Sequence, residues 1–202
     1  MALKTANNQS MTEITALPSA VVKGGLILLA TETASSSATV SFTSGIDSTY
    51  KEYIFKLIDI HPETDGEDLG FQANASGGSG YNETITSTAF RTYHNEDDSG
   101  SAVGYRTGED QAQGTGFQDL IHQAASDDAD KSGCGTLHLF APSNTTFVKH
   151  FLFTGNHNGP TDFSRQWFIS GYINTTSAID EIQFKMSSGN IDAGVIKLYG
   201  IS

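Results

Sequence analysis

Residues 181–202 read EIQFKMSSGNIDAGVIKLYGIS. From Glu181 to Met186 the side chains alternate, with Ile182, Phe184 and Met186 on one face and Glu181, Gln183 and Lys185 on the other. A β-strand turns successive side chains to opposite faces, so this is the pattern of a half-buried strand. Ser187 to Gly194 supplies turn residues around Gly189 and Asn190, and Ala193 to Tyr199 then reads as a returning strand. The expected arrangement is an antiparallel hairpin whose last strand lies in or beside the core.

The same rhythm extends backwards. GTLHLFAP (135–142), TFVKHFLFTG (146–155) and RQWFISGYIN (165–174) are strand patterns separated by turn residues at even spacing, the signature of an antiparallel sandwich. GGLILLATETASSSATVSFTSG (24–45) reads as a first hairpin turning at Ala34 to Ser37. TYKEYIFKLIDIHPETDG (49–66) carries Tyr53, Phe55 and Leu57 on one face and Ile54, Ile58 and Ile60 elsewhere, which suggests a central strand covered on both sides. Leu69 to Ala73 is a further strand. Residues 74–115 mix short strand candidates, Ile85 to Tyr93 and Ala102 to Tyr105, with Gly, Asp and Asn, and are expected to be long excursions from a sheet edge. GFQDLIHQAASDDADKSG (116–133) is compatible with a strand or a short helix.

A length of 202 residues suits one all-β domain able to bury roughly 70% of its unfolded surface. Charged residues make up 17% of the chain and Gly occurs 21 times, so stretches favouring long helices are missing. Residues 1–22 are polar, rich in Ala and Thr, and without a sustained period, which marks a short N-terminal arm. Its apolar residues Leu3, Ile14 and Leu17, together with Pro18, are the candidate docking contacts. The expected organisation is therefore an arm at 1–22 and an all-β, antiparallel β-sandwich at 23–202.

Eleven basic residues against 23 acidic ones give a formal charge of −12. With no Lys/Arg stripe to neutralise phosphates, this argues against nucleic acid as a partner, and none is expected. The longest apolar run, Gly25 to Ala30, is too short to cross a bilayer as a helix, and the N-terminus lacks the pattern of a secretory signal. One cysteine, Cys134, cannot form an intrachain disulfide, which fits maturation in a reducing cytoplasm.

Few constellations carry chemistry. In DDADKSG, Asp128, Asp130 and Ser132 precede Gly133 like the first half of a calcium loop. The twelfth position is Leu139, where such a loop needs a bidentate Glu, so a solvated acidic turn competes with a calcium site. His138 and His150 lie on neighbouring strands, without the spacing of a zinc motif, and read as packed or hydrogen-bonded histidines. No Gly-x-Ser-x-Gly elbow occurs, and no pair of carboxylates is brought to catalytic separation by sequence alone, so no enzyme activity is expected. Trp167, Phe168 and Tyr172 share one strand and read mainly as core. Tyr81, Tyr93 and Tyr105 lie in the polar middle region, where an exposed ring makes amphipathic contacts, and are the candidate recognition residues.

The layout of LPSAVVKGGLILLATETASSSATVSFTSGIDSTYKEYIFKLIDIHP (17–62) and of residues 181–202 resembles structural proteins of tailed bacteriophages, particularly those of aquatic and marine hosts. The shared features are a Leu-rich strand, a Ser/Ala/Thr turn, an Asp-Ser-Thr-Tyr entry into the long strand, and a Gly-x-Ile-x-Leu-Tyr-Gly finish. The resemblance implies a jelly-roll sandwich, trimeric, non-enzymatic and without a required cofactor. Such a protein is a tail or head appendage, or a capsid decoration protein, that assembles in the host cytoplasm and leaves by lysis. It implies other virion proteins as partners through the arm, and a host-surface glycan or protein as target. Long fibres carry repeats or heptads, and neither occurs here, which points to a short tip, knob or decoration protein. The competing expectations are a carbohydrate-binding module, with exposed aromatic residues on one sheet face, and a glycan-cleaving enzyme.

Overall fold

A computed structural model describes residues 25–124 and 129–202. These residues form thirteen strands, and no helix occurs among them. The N-terminal arm and Asp128 lie outside the described residues.

Two antiparallel sheets pack face to face. The larger has nine strands, beginning with β1 (Leu26–Ser37), β13 (Ile191–Ile201), β3 (Glu52–Pro62) and β9 (Gly133–Phe140). It continues through β10 (Lys149–Asn158), β11 (Phe163–Ile173), β5 (Ile85–Asn95) and β6 (Ser101–Tyr105), and the short β7 (Ala112–Gly114) also pairs with β5. The smaller has four strands in the order β2 (Val40–Phe42), β12 (Ile179–Met186), β4 (Glu67–Ala75) and β8 (Gln118–Ala124). The chain is an all-β, jelly-roll-like sandwich.

Both expected hairpins are corrected by this topology. β12 pairs with β2 and β4, whereas β13 pairs with β1 and β3, so the turn at Ser187 to Asn190 carries the chain from one sheet to the other. Likewise β1 belongs to the nine-stranded sheet and β2 to the four-stranded one. The reason is burial: Met186 and Ile191 flank the turn and are both buried, and a crossing connection lets each sheet close on the same core. The 116–133 segment is a strand at its start, β8. The middle region holds more regular structure than expected, since β5 pairs with β11 along its whole length and only the short β6 and β7 form the edge beyond it.

β3 is a central strand, as its two-sided apolar pattern implies. It contains a bulge: Ala193 pairs with His61 and Val195 with Ile58, so Asp59 and Ile60 together face Gly194. Asp59 takes a left-handed conformation at φ 51°, which brings Leu57 and Ile60 to the same buried side and leaves Ile58 outward. The core between the sheets is an edge-to-face aromatic chain. Phe42 meets Phe55 at 5.2 Å, Phe55 meets Phe184 at 5.5 Å, and Phe71 meets Phe151 at 5.0 Å, joining strands of both sheets. Each buried ring contributes about 1.5–3 kcal/mol.

Candidate functional site

The three tyrosines do not form one surface. Tyr81 follows β4 and is half-buried, its hydroxyl donating to Glu181 Oε2 at 2.9 Å on the side of the smaller sheet. Tyr93 is the cross-strand partner of Arg165 and shares the inter-sheet side of β5 with Arg91, whose guanidinium lies 5.3 Å from its ring. Tyr105 alone is exposed; its hydroxyl donates to Asp110. Asp130 is exposed in a turn beside Lys131 and Ser132, and Ser132 N–H donates to Asn158. His138 contacts Glu52 Oε1 at 2.6 Å through Nδ1, in keeping with a hydrogen-bonded histidine.

The outer face of the nine-stranded sheet is more apolar than the alternating patterns suggest. One row of cross-strand neighbours runs Leu28, Tyr199, Ile54, His138, Leu152, Ser170. Leu28 and Leu152 are 53% and 49% exposed. In an adjacent row Phe168 stacks on Phe90 at 4.8 Å, and Tyr105 stands opposite Phe90. Near the Leu152 end, His150, Leu152, Ser170, Tyr172 and Thr88 line a groove of about 280 Å³. A second apolar groove, of about 530 Å³, lies under Phe147 and meets the first at His150.

A different kind of site lies where β8 forms the edge of the smaller sheet. Leu69 pairs with Ile121 and Gly70 with Asp119, so β8 carries an extra residue, and both Leu120 and Ile121 turn into the core. This bulge leaves Asp119 and His122 together on the side of Asp68, instead of on the opposite faces that a regular strand would give them. Donor atoms of Asp68, Asp119 and His122 all lie within 4.8 Å of one another. His122 Nδ1 is 2.9 Å from Asp68 Oδ1 yet out of line for a hydrogen bond, and its Nε2 is 3.4 Å from Glu109 Oε1. The loop carrying Glu109 is tied to β8, because buried Gln118 at the start of that strand donates to the Glu109 carbonyl at 2.8 Å. Arg106 pairs with Glu109 Oε1 at 2.9 Å, while Oε2 is buried with no protein partner.

The electrostatics follow from this crowding. Burial, then the neighbouring Asp68 charge, pushes the Asp119 carboxyl up to about 7. Burial also acts to raise Asp68, but the imidazole of His122 and the Gln123 N–H outweigh it and hold that carboxyl below its ordinary value. Burial, reinforced by the charge of Arg165, pushes His157 of β10 down to about 3, so its imidazole is neutral at pH 7. Two carboxylates and an imidazole in this setting can share a proton or hold a cation. Sequence reading missed the site because Asp119 and His122 lie in the segment 116–133, which is compatible with a strand or a short helix; the one available signal was a His three residues after an Asp.

Comparison with protein-family models and with curated proteins gives no match.

Proposed function

We propose that the chain is a non-enzymatic structural protein of a tailed-phage particle, a trimeric tail or head appendage or a capsid decoration protein that contributes to attachment at the host surface. The observation that carries this reading is the apolar row on the outer face of the nine-stranded sheet, where Leu28 and Leu152 stand exposed on either side of Tyr199, Ile54 and His138. A solitary sandwich keeps such a face polar, whereas a subunit of an assembly covers it. The jelly-roll-like frame and the absence of disulfide-forming cysteine pairs accord with assembly in a reducing cytoplasm and release by lysis. In this reading copies pack through the outer face, residues 1–22 dock on the particle, and repeated copies replace high affinity with avidity. The test is incorporation of a chain lacking residues 1–22 into particles. The truncated chain is expected to fold and to be missing from them; normal incorporation of the truncated chain would contradict docking through the arm.

A second reading, a carbohydrate-binding module, is favoured by one feature: the groove flanked by Tyr172, His150 and Leu152, with Ser170 and Thr88 as polar contacts, has the makings of a sugar platform. It predicts saturable glycan binding by the isolated monomer, lost in Tyr172→Ala.

A further inference from the structure

We propose that Asp68, Asp119 and His122 bind one divalent cation of the zinc class, with Glu109 as the supporting carboxylate behind the imidazole. The His122 ring lies between two carboxylates. Its Nε2 faces Glu109 Oε1 at 3.4 Å, and its Nδ1 faces Asp68 Oδ1 at 2.9 Å without the alignment of an N–H···O bond. A proton on Nε2, the nitrogen turned to Glu109, is the tautomer that presents the Nδ1 lone pair to Asp68, the carboxylate–histidine–metal arrangement of many zinc sites. At that distance Nδ1 and Asp68 Oδ1 either share a proton, which is what lowers the Asp68 carboxyl, or give it up to ligate one cation together. Two ligand atoms bound to one zinc ion sit about 3–3.5 Å apart, so the Asp68–His122 pair already has nearly the right separation and Asp119 reaches the ion by side-chain rotation.

The second observation is Glu109 itself. Its side chain is only 3% exposed, it faces His122, and its Oε2 is buried without a protein partner. Arg106 balances the Glu109 charge, which leaves Asp68 and Asp119 as the two negative charges that a divalent ion would neutralise. One nitrogen and carboxylate oxygens suit Zn²⁺ better than Ca²⁺, which takes six to eight oxygens. The ion would tie β4 to the edge strand β8 and pin the loop carrying Glu109. The site is separate from the acidic turn at Asp130 and independent of the reading of the protein as a virion component.

Titrating the metal-free full chain with Zn²⁺ by calorimetry, with Co²⁺ absorption reporting geometry, tests the assignment. The expected result is one ion per chain, a four-coordinate Co²⁺ spectrum, and a melting temperature that rises with Zn²⁺. Asp119→Asn and His122→Gln should each weaken binding about 100-fold or more, and Glu109→Gln about 10- to 100-fold, while Asp130→Asn leaves it unchanged. Circular dichroism of each metal-free variant checks that it is folded. Absence of saturable Zn²⁺ binding, or binding unchanged in folded Asp119→Asn and His122→Gln, would overturn the proposal. So would nuclear magnetic resonance showing His122 protonated on both nitrogens with Zn²⁺ in excess.

Discussion

Phe153 lays its ring over the bare Cα of Gly155, two residues further along β10, and over Gly135 opposite on β9. A Cβ at Gly135 would come within 2.5 Å of the ring, and one at Gly155 would also approach the Cys134 carbonyl oxygen at 2.8 Å. Gly155→Ala is therefore expected to destabilise the fold by ~1–3 kcal/mol through overpacking. Part of that loss should be recovered in Phe153→Leu/Gly155→Ala, so a double-mutant cycle by urea denaturation should give a clear coupling energy. Additive effects would mean that the ring does not depend on the glycine.

Gly194 of β13 faces the bulge of β3 at φ 135°, with a Cβ position 2.8 Å from Ile60 Cδ1 and 3.0 Å from the Asp59 carbonyl oxygen. Gly194→Ala meets both an unfavourable backbone conformation and backbone atoms, and a loss of ~1–3 kcal/mol is expected. An unchanged urea midpoint would contradict the bulge.

The dependence of stability on pH should contain two opposed contributions when a chelator keeps metal away. Asp119 has a folded value of about 7 against an ordinary 3.8, so its contribution is present at acid pH and is lost as pH rises through 7. His157 has a folded value of about 3 against 6.5, so its contribution is present above 6.5 and is lost as pH falls towards 3. Asp119→Asn should leave a stability that climbs steadily between pH 4 and 6.5, and His157→Gln one that declines from pH 4 to 7. Urea midpoints across that range read both slopes. Parallel profiles for the two variants would show that these groups do not set the pH response.

Leu28→Lys/Leu152→Lys places two charges on the outer face without touching the core. A trimer seen by sedimentation should become a monomer in this variant, with its melting temperature little changed because both positions are about half exposed. A variant that stays trimeric would show that copies meet through another surface.

Much of the sandwich can be read from side-chain alternation, because period two follows directly from strand geometry. Ile182, Phe184 and Met186 are all buried, as their spacing implies. Alternation fixes which face of a strand is covered and leaves its partner open, so Met186 and Ile191 looked like two ends of a hairpin although they sit in different sheets. The candidate metal site was hidden for a related reason. Asp119 and His122 come to one side only through the bulge at Leu120 and Ile121, and regular alternation would separate them. Asp68 lies on β4, just ahead of the stretch Leu69 to Ala73 that reads as a strand. Of the three tyrosines chosen for their polar surroundings, only Tyr105 presents an exposed ring, because the register of β5 turns Tyr93 towards Arg165.

The central claim, that this chain is a component of a virus particle, is tested most directly by quantitative mass spectrometry of particles purified from a lysate that contains it, scaled to the major capsid protein. The expected result is a fixed copy number per particle, retained through further purification: a high number for a decoration protein, a low one for a tail or vertex appendage. Complete absence from purified particles, with the chain abundant in the lysate, would contradict the claim.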